Sequence, residues 1–216
     1  MVLALALTAA ACGSTTVASV TPSSEAATPT SAPETTTTNA APTTGHAALP
    51  QVSGAALPQF GQGHGTDPAI GLRVPDVSAV SLDGEIITIE QANGRGKVYG
   101  FFAHWCPHCQ AELPRLVAYF ETIGLPDSVD FHAISTAINP DADNFPPERW
   151  FATEEWPFPV LDDSSSGEVS AAFGLPGFPY FVVVDGDGNV TQRLAGELPD
   201  DAAVAALLDL AADGVS

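Results

Sequence analysis

Two cysteines three positions apart, Cys106 and Cys109, are the residues whose types and spacing most clearly support chemistry in this sequence. Thiols at this spacing can open and close a disulfide reversibly, with a thiolate as the attacking group. The apolar run 97–103 before them predicts a buried strand. The apolar residues of 107–123 recur at helical spacing and stop at Gly124, so the pair lies where a strand passes into a helix. The free N–H groups and the dipole of a helix start favour a thiolate there.

The same spacing also occurs in zinc sites, where it supplies half of the ligands, and in inert structural disulfides. A structural zinc site normally needs four ligands, and the sequence has no second C-x-x-C and no His-x-x-x-His pair. His104 and His108 would complete a ligand set only by crowding it into six residues. The strand-to-helix context favours redox catalysis. We therefore predict no metal, and no cofactor beyond a redox-active disulfide between Cys106 and Cys109.

The neighbours of the two cysteines suggest roles for each residue of the segment. Cys106 is nearer the exposed helix start and is predicted to be the attacking nucleophile, with Cys109 as the resolving thiol one turn further on. Pro107 suits the first helical position, which needs no N–H donor. A protonated His108 would stabilise the Cys106 thiolate, and Trp105 is expected to pack beside the disulfide.

Two stretches of the chain resemble a known family. Residues 102–114 resemble the active-site segment of thioredoxin-fold thiol–disulfide oxidoreductases of the extracytoplasmic TlpA/ResA type, within the redoxin superfamily. Residues 177–185 resemble that family's cis-proline loop and the strand after it, and Asp-Gly-Asn at 187–189 matches the hairpin turn that follows. The resemblance covers residues from about 70 to 213. Phe178 departs from the pattern, in which a smaller β-branched residue is more usual, and this bears on substrate shape.

The resemblance implies thiol–disulfide exchange on exported proteins, with Phe178 and Pro179 presenting backbone to an extended substrate chain across a cis peptide bond. It also implies that Glu112, three residues after Cys109 and so on the same helix face, takes the proton of Cys109 during resolution. A surface glutamate in an acidic protein is the alternative interpretation. A Pro-His dipeptide between cysteines is that of the strongly oxidising DsbA, whereas the surroundings suggest a reductase. The direction of exchange stays open.

Two other classes of function remain. A peroxidase-type redoxin would want its peroxidatic cysteine in a Thr-x-x-Cys setting, and Ala103 stands three positions before Cys106. A metallochaperone would use the cysteine pair and a histidine to bind Cu(I) or Zn(II). In a redox site, His104 would either tune the electrostatics or be an exposed spectator.

The first twelve residues are apolar but too short to span a bilayer, and they are typical of the end of a secretory signal. Small residues before Cys12 and the Gly-Ser pair after it resemble a bacterial lipoprotein cleavage site, with Cys12 as the lipidated residue. Ordinary secretion and a chance likeness are the alternatives. Outside the cytoplasm disulfides persist. We therefore expect exported proteins carrying thiols or disulfides as partners, a membrane redox partner, and membrane contact only through the lipid anchor.

Composition predicts the division of the chain. Residues 13–66 are dominated by Ser, Thr, Ala and Pro and are predicted to be a disordered stalk, because such a segment buries too little apolar surface. Residues 67–216 are predicted to form one domain. The net charge of −20 argues against nucleic acid as a partner. We interpret the charge as a solvated acidic surface rather than a docking face for a basic partner.

The predicted fold class is α/β, a thioredoxin-like fold with a central mixed sheet flanked by helices, an N-terminal β-hairpin, and an insertion after the second core strand. The insertion, 136–163, is rich in proline and carries aromatic residues that either pack over the core or form a partner-binding lip. The predicted strands are 77–82, 85–90, 97–103, 129–135, 180–184 and 190–195, and the predicted helices are 107–123, 148–155, 166–173 and 200–212.

Overall fold

The computed structural model describes residues 49–61, 65–163 and 165–213. The strands are β1 (Gln51–Ser53), β2 (Asp76–Val80), β3 (Ile86–Ile89), β4 (Gly96–Phe102), β5 (Val129–Ser135), β6 (Val160–Asp162), β7 (Tyr180–Val184) and β8 (Val190–Ala195). The helices are α1 (Pro107–Thr122), α2 (Pro147–Thr153), α3 (Glu168–Ala172) and α4 (Asp201–Ala212). None of these helices combines the length and the apolar character needed to cross a membrane.

The central sheet has five strands in the order β6-β5-β4-β7-β8. Strand β4 pairs in parallel with β5 and antiparallel with β7, so the predicted mixed sheet is confirmed. All seven residues of β4 are buried because both faces of the sheet are covered. Val98 and Phe102 belong to the core cluster that includes residues of α1 and α4, while Tyr99 and Phe101 belong to the cluster on the other face.

The predicted β-hairpin is present as β2 and β3, which pair antiparallel. Its turn contains Gly84 at φ +87°, a left-handed conformation that favours glycine. The hairpin belongs to a separate three-stranded sheet, β1-β2-β3, because β1 pairs with the outer side of β2.

The predicted boundary between stalk and domain needs correction. Residues 49–61 fold onto the domain, with β1 paired to β2 and the side chain of Leu57 buried. The Leu57 N–H donates to the Ala172 carbonyl at 2.8 Å. The surrounding Ser/Thr/Ala/Pro composition conceals this segment, since a few apolar residues suffice to anchor it. The earlier part of the predicted stalk, 13–48, lies outside the described residues, as does Cys12.

A glycine allows this segment to approach closely. Gly174 has φ +70°, and a Cβ placed on it would lie 2.3 Å from the carbonyl oxygen of Pro58. The Phe60 N–H donates to the Gly174 carbonyl at 2.8 Å. Any larger residue at this position would push the segment away from α3.

The predicted insertion follows β5 and contains α2 and β6. Strand β6 pairs in parallel with β5 and was missed, because three residues among prolines carry too little pattern. Trp150 and Phe151 are buried, and the Trp156 ring lies 6.0 Å from that of Phe102 on β4. The aromatic residues of the insertion therefore pack over the core, as the first of the two interpretations held.

Candidate active site

The cysteine pair lies at the junction between β4 and α1. Cys106 is the N-cap residue of α1, which begins at Pro107 in the first helical position, as predicted. Both thiols are free, but their placement differs: Cys106 is 7% exposed and Cys109 is fully buried. Of the two thiols, only Cys106 therefore keeps some exposure to solvent.

The buried position of Cys109 affects its proton. Its Sγ accepts a hydrogen bond from the Ala103 N–H at 3.4 Å. Burial nevertheless raises the pKa of the Cys109 thiol far above its usual range, and the negative charges of Cys106 and Glu112 act in the same direction. A nearby base is therefore needed before Cys109 can attack.

The cis-proline loop faces the accessible thiol. The Phe178–Pro179 peptide bond is cis, as the sequence predicted. The carbonyl oxygen of Phe178 lies 3.8 Å from Cys106 Sγ. Trp105 packs edge-on against Phe178 with ring centroids 6.0 Å apart, and its indole N–H donates to the Ala137 carbonyl at 2.7 Å. The indole thus connects this loop to the beginning of the insertion.

His108 has a partner that the sequence did not indicate. Its Nδ1 lies 2.5 Å from Oε1 of Glu197, a residue that directly follows the turn at the end of β8. The His108 side chain is 68% exposed and that of Glu197 is 35% exposed. Any positive charge on His108 is therefore accompanied by a neighbouring carboxylate, and no local pattern could have indicated a partner 89 residues away.

Glu112 is fully buried, so the alternative of a surface glutamate is wrong. Its Oε2 accepts a hydrogen bond from the Leu198 N–H at 3.0 Å, and Arg115 Nη1 lies 3.5 Å from the same oxygen. Its Oε1 is buried and has no hydrogen-bond partner in the part of the chain that the structure describes. Burial raises the pKa of Glu112 to about 7, against the opposing effects of the Leu198 hydrogen bond and the Arg115 charge. A carboxyl group in this environment can exchange a proton near neutral pH.

His104 is also buried, so the interpretation of an exposed spectator is wrong. Its Nε2 accepts from the Asn139 N–H at 3.2 Å, which leaves the hydrogen on Nδ1 to bond the Asp143 carbonyl at 2.7 Å. The carbonyl of His104 accepts from the Asn144 side chain at 3.2 Å. His104 therefore holds the loop 139–144 of the insertion against the active-site turn.

The ring of His104 is thereby engaged through both nitrogens, and His108 bonds Glu197. Among the described ranges, no group of three or more His, Cys, Asp or Glu side chains is arranged to hold a metal ion. A metallochaperone site built on Cys106 and Cys109 would have to release one of these histidines first.

An accessible thiol at a helix start, a buried thiol one turn behind it and a cis-proline loop opposite are features of thioredoxin-like oxidoreductases. The chain belongs to the redoxin family, whose model matches residues 69–208. The protein is a thiol–disulfide oxidoreductase, as its relatives are.

The thiol:disulfide interchange protein DsbE homolog of Paracoccus denitrificans is 30% identical over 132 residues, covering 60% of this chain and 68% of that protein. The thiol-disulfide oxidoreductase ResA of Bacillus thuringiensis subsp. konkukian is 25% identical over 128 residues, covering 59% of this chain and 70% of ResA. Among proteins of known crystal structure, a thiol:disulfide interchange protein of the thioredoxin family from Chlorobium tepidum is 25% identical to this chain in sequence. It aligns with a TM-score of 0.54 over 65% of this chain and 95% of that chain.

Proposed function

We propose that this protein catalyses thiol–disulfide exchange on exported proteins, with Cys106 as the attacking thiol and Cys109 as the resolving thiol. The observation that carries the proposal is the unequal placement of the two sulfurs. Cys106 keeps a small exposed fraction beside the Phe178 carbonyl, whereas Cys109 is fully buried behind it. A substrate chain lying along the cis-proline loop would meet Cys106 first.

The exchange proceeds in two displacements. The Cys106 thiolate attacks one sulfur of a substrate disulfide, a mixed disulfide forms, and one substrate thiolate leaves. Cys109 then attacks the sulfur of Cys106, the disulfide between Cys106 and Cys109 forms, and the second substrate thiolate leaves. The substrate gains two electrons and the protein loses two. Run in reverse, the same steps oxidise a substrate dithiol.

Glu112 takes the proton of Cys109 in the second displacement. Its Oε1, which has no partner among the residues that the structure describes, and its pKa of about 7 suit a group that accepts a proton and returns it to solvent. The resemblance to the TlpA/ResA type implies the same role. In the reverse direction a protonated Glu112 gives the proton back as Cys109 leaves.

The direction of exchange depends on the reduction potential of the pair. A protonated His108 favours the reduced thiolate form and so a more oxidising protein, while the carboxylate of Glu197 opposes that effect. A redox titration against glutathione measures the outcome.

We also propose an extracytoplasmic location, with a lipid on Cys12 tethering the chain to the bacterial membrane. The sequence around Cys12 and the resemblance to the extracytoplasmic TlpA/ResA type support this. The partners would then be exported proteins carrying thiols or disulfides and a membrane redox partner. The mature protein should fractionate with membranes and become soluble on Cys12→Ala. Equal partition of both forms would contradict the anchor.

Trapping of mixed disulfides tests the assignment of the two thiols. In full-length protein carrying Cys12→Ala, Cys109→Ser should accumulate mixed disulfides with exported proteins, because the first displacement occurs and the second cannot. Cys106→Ser should accumulate none, since its remaining thiol is buried, and the Cys106→Ser/Cys109→Ser double variant is the matched control. Equal trapping by both single variants would show that the roles are assigned wrongly.

A further inference from the structure

We propose that Arg115 is a positioning residue of the redox site, which acts through Glu112 and is opposed by Glu197. The inference rests on the proposed role of Glu112 as the proton acceptor for Cys109. It adds two residues that set how readily that acceptor works near neutral pH.

Arg115 and the Leu198 N–H both contact the same oxygen of Glu112. Arg115 follows Glu112 by one turn of α1, and its Nη1 lies 3.5 Å from Oε2. The same Nη1 donates to the Leu198 carbonyl at 2.6 Å, while the Leu198 N–H donates to Oε2 at 3.0 Å. Arg115 therefore holds Leu198, and both hold Oε2. The other oxygen, Oε1, is left to handle the proton.

The charges of Arg115 and Glu197 act on Glu112, near Cys109 and near His108, which is on α1 and pairs with Glu197. Arg115 and Cys109 are on α1, and Glu197 lies next to Leu198 in the loop after β8. The positive charge of Arg115 lowers the pKa of Glu112, and the negative charge of Glu197 raises it. Arg115 is 35% exposed, so solvent screens part of its effect, whereas the carboxyl group it acts on is fully buried.

The two side chains therefore have opposite effects on one chemical step. Arg115 increases the fraction of Glu112 that is ionised and ready to accept a proton at a given pH, and Glu197 decreases it. A purely structural role would not produce effects of opposite sign, because loss of packing in either variant would slow the same step. The sign of each shift is therefore the diagnostic measurement.

Stopped-flow reaction of the reduced full-length protein, carrying Cys12→Ala, with the aromatic disulfide DTNB separates the two displacements. Attack by Cys106 releases the first thionitrobenzoate and leaves a mixed disulfide. Attack by Cys109, with its proton passing to Glu112, releases the second and forms the disulfide between Cys106 and Cys109. The rate of the second phase is recorded against pH.

In Arg115→Met, the midpoint of the second phase should move to higher pH. A rise of one unit from a pKa of about 7 reduces the ionised fraction at pH 7 from about one half to about one tenth, or about fivefold in rate. Arg115→Lys should recover most of that loss. In Glu197→Gln, the midpoint should move to lower pH, and Arg115→Met should have no effect in a Glu112→Gln background.

Arg149→Met is the matched control, since Arg149 is exposed on α2, away from these contacts, and its loss should leave the midpoint in place. Unmoved midpoints in both Arg115→Met and Glu197→Gln, or shifts in the same direction, would overturn the proposal. If the parent protein showed no first phase at all, the proposed function itself would be contradicted. Glu197→Gln changes a partly exposed side chain and provides a readout even if Arg115→Met folds poorly.

Discussion

At the residue scale, the proposed proton transfer joins two fully buried groups, Cys109 and Glu112. Both pKa values are raised chiefly by burial. A buried carboxyl group lowers the stability of the folded state when it is ionised, because the ionised form has lost its hydration. The proposed catalytic role of Glu112 and the instability it causes thus have the same physical origin.

Glu112→Gln should therefore stabilise the protein at alkaline pH. The pKa of Glu112 is raised from 4.5 to about 7 in the fold, so its stabilising contribution is full below pH 4.5 and is lost as the pH rises through 7. We compare the unfolding free energy of the variant with that of the parent at each pH. This difference should be up to roughly 3 kcal/mol more favourable to the variant at pH 8 than at pH 4.5. Urea unfolding at both values measures this. A difference independent of pH would show that Glu112 does not titrate as described.

At the scale of elements, residues 49–61 form part of the folded domain. They contribute β1, the buried side chain of Leu57 and the two hydrogen bonds to the region of α3. The first two turns of α1 and the loop after β8 are likewise joined by side chains, through His108 with Glu197 and through Glu112 with Leu198. Segments far apart in sequence thus hold both the fold and the site.

Deletions at the N-terminal side should show where the domain begins. Removing residues 13–48 should leave the melting temperature unchanged, because their composition offers no core. Extending the deletion to residue 58 should lower it, since β1 and Leu57 are then lost. Leu57→Ala alone should cost about 3 kcal/mol, as for other buried leucines. Thermal unfolding of the deletion variants and chemical denaturation of Leu57→Ala give these values.

Leu210→Ala on α4 is the control for that series, because Leu210 is 41% exposed and its truncation leaves little cavity. It should change the free energy of unfolding far less than Leu57→Ala does. If removal of residues 13–58 leaves the melting temperature unchanged, segment 49–61 adds nothing to stability.

At the scale of the whole molecule, the free energy of unfolding depends on pH through interior titratable groups whose contributions change in opposite directions as the pH rises. His132 on β5 is partly buried, and removal of its ring from solvent lowers its pKa from 6.5 to about 4, with the charge of Asp130 opposing this and that of Lys97 acting in the same direction. The neutral form suits the fold, so the contribution of His132 is present above pH 6.5 and is lost as the pH falls toward 4. Glu112 has the opposite dependence over much of the same range.

His132→Phe should accordingly make the molecule less sensitive to acid. Between pH 7 and pH 5 the parent should lose about 2 kcal/mol of unfolding free energy through His132, and the variant should not. Urea unfolding curves collected across this range compare the two. Parallel curves for parent and variant would mean that His132 keeps its ordinary titration in the fold.

The sequence by itself determined the features that depend on local pattern. The strands Val129–Ser135 and Tyr180–Val184 have the predicted bounds, and Cys106 lies at the predicted junction of strand and helix. Side-chain periodicity, helix starts and turn residues are properties of neighbouring positions, so they can be inferred without knowledge of the fold. The choice of Cys106 and Cys109 as the proposed redox pair also rests on such local pattern.

The tertiary structure alone decided which distant residues meet. It brought Glu197 to His108, buried His104 against loop 139–144 of the insertion and folded residues 49–61 onto α3. These contacts depend on how sheets and helices pack, and no periodicity records them. A pKa shift such as that of Glu112 depends on burial and on charges contributed by other segments. The type and position of the reactive residues follow from sequence, while their proton affinities follow only from the fold.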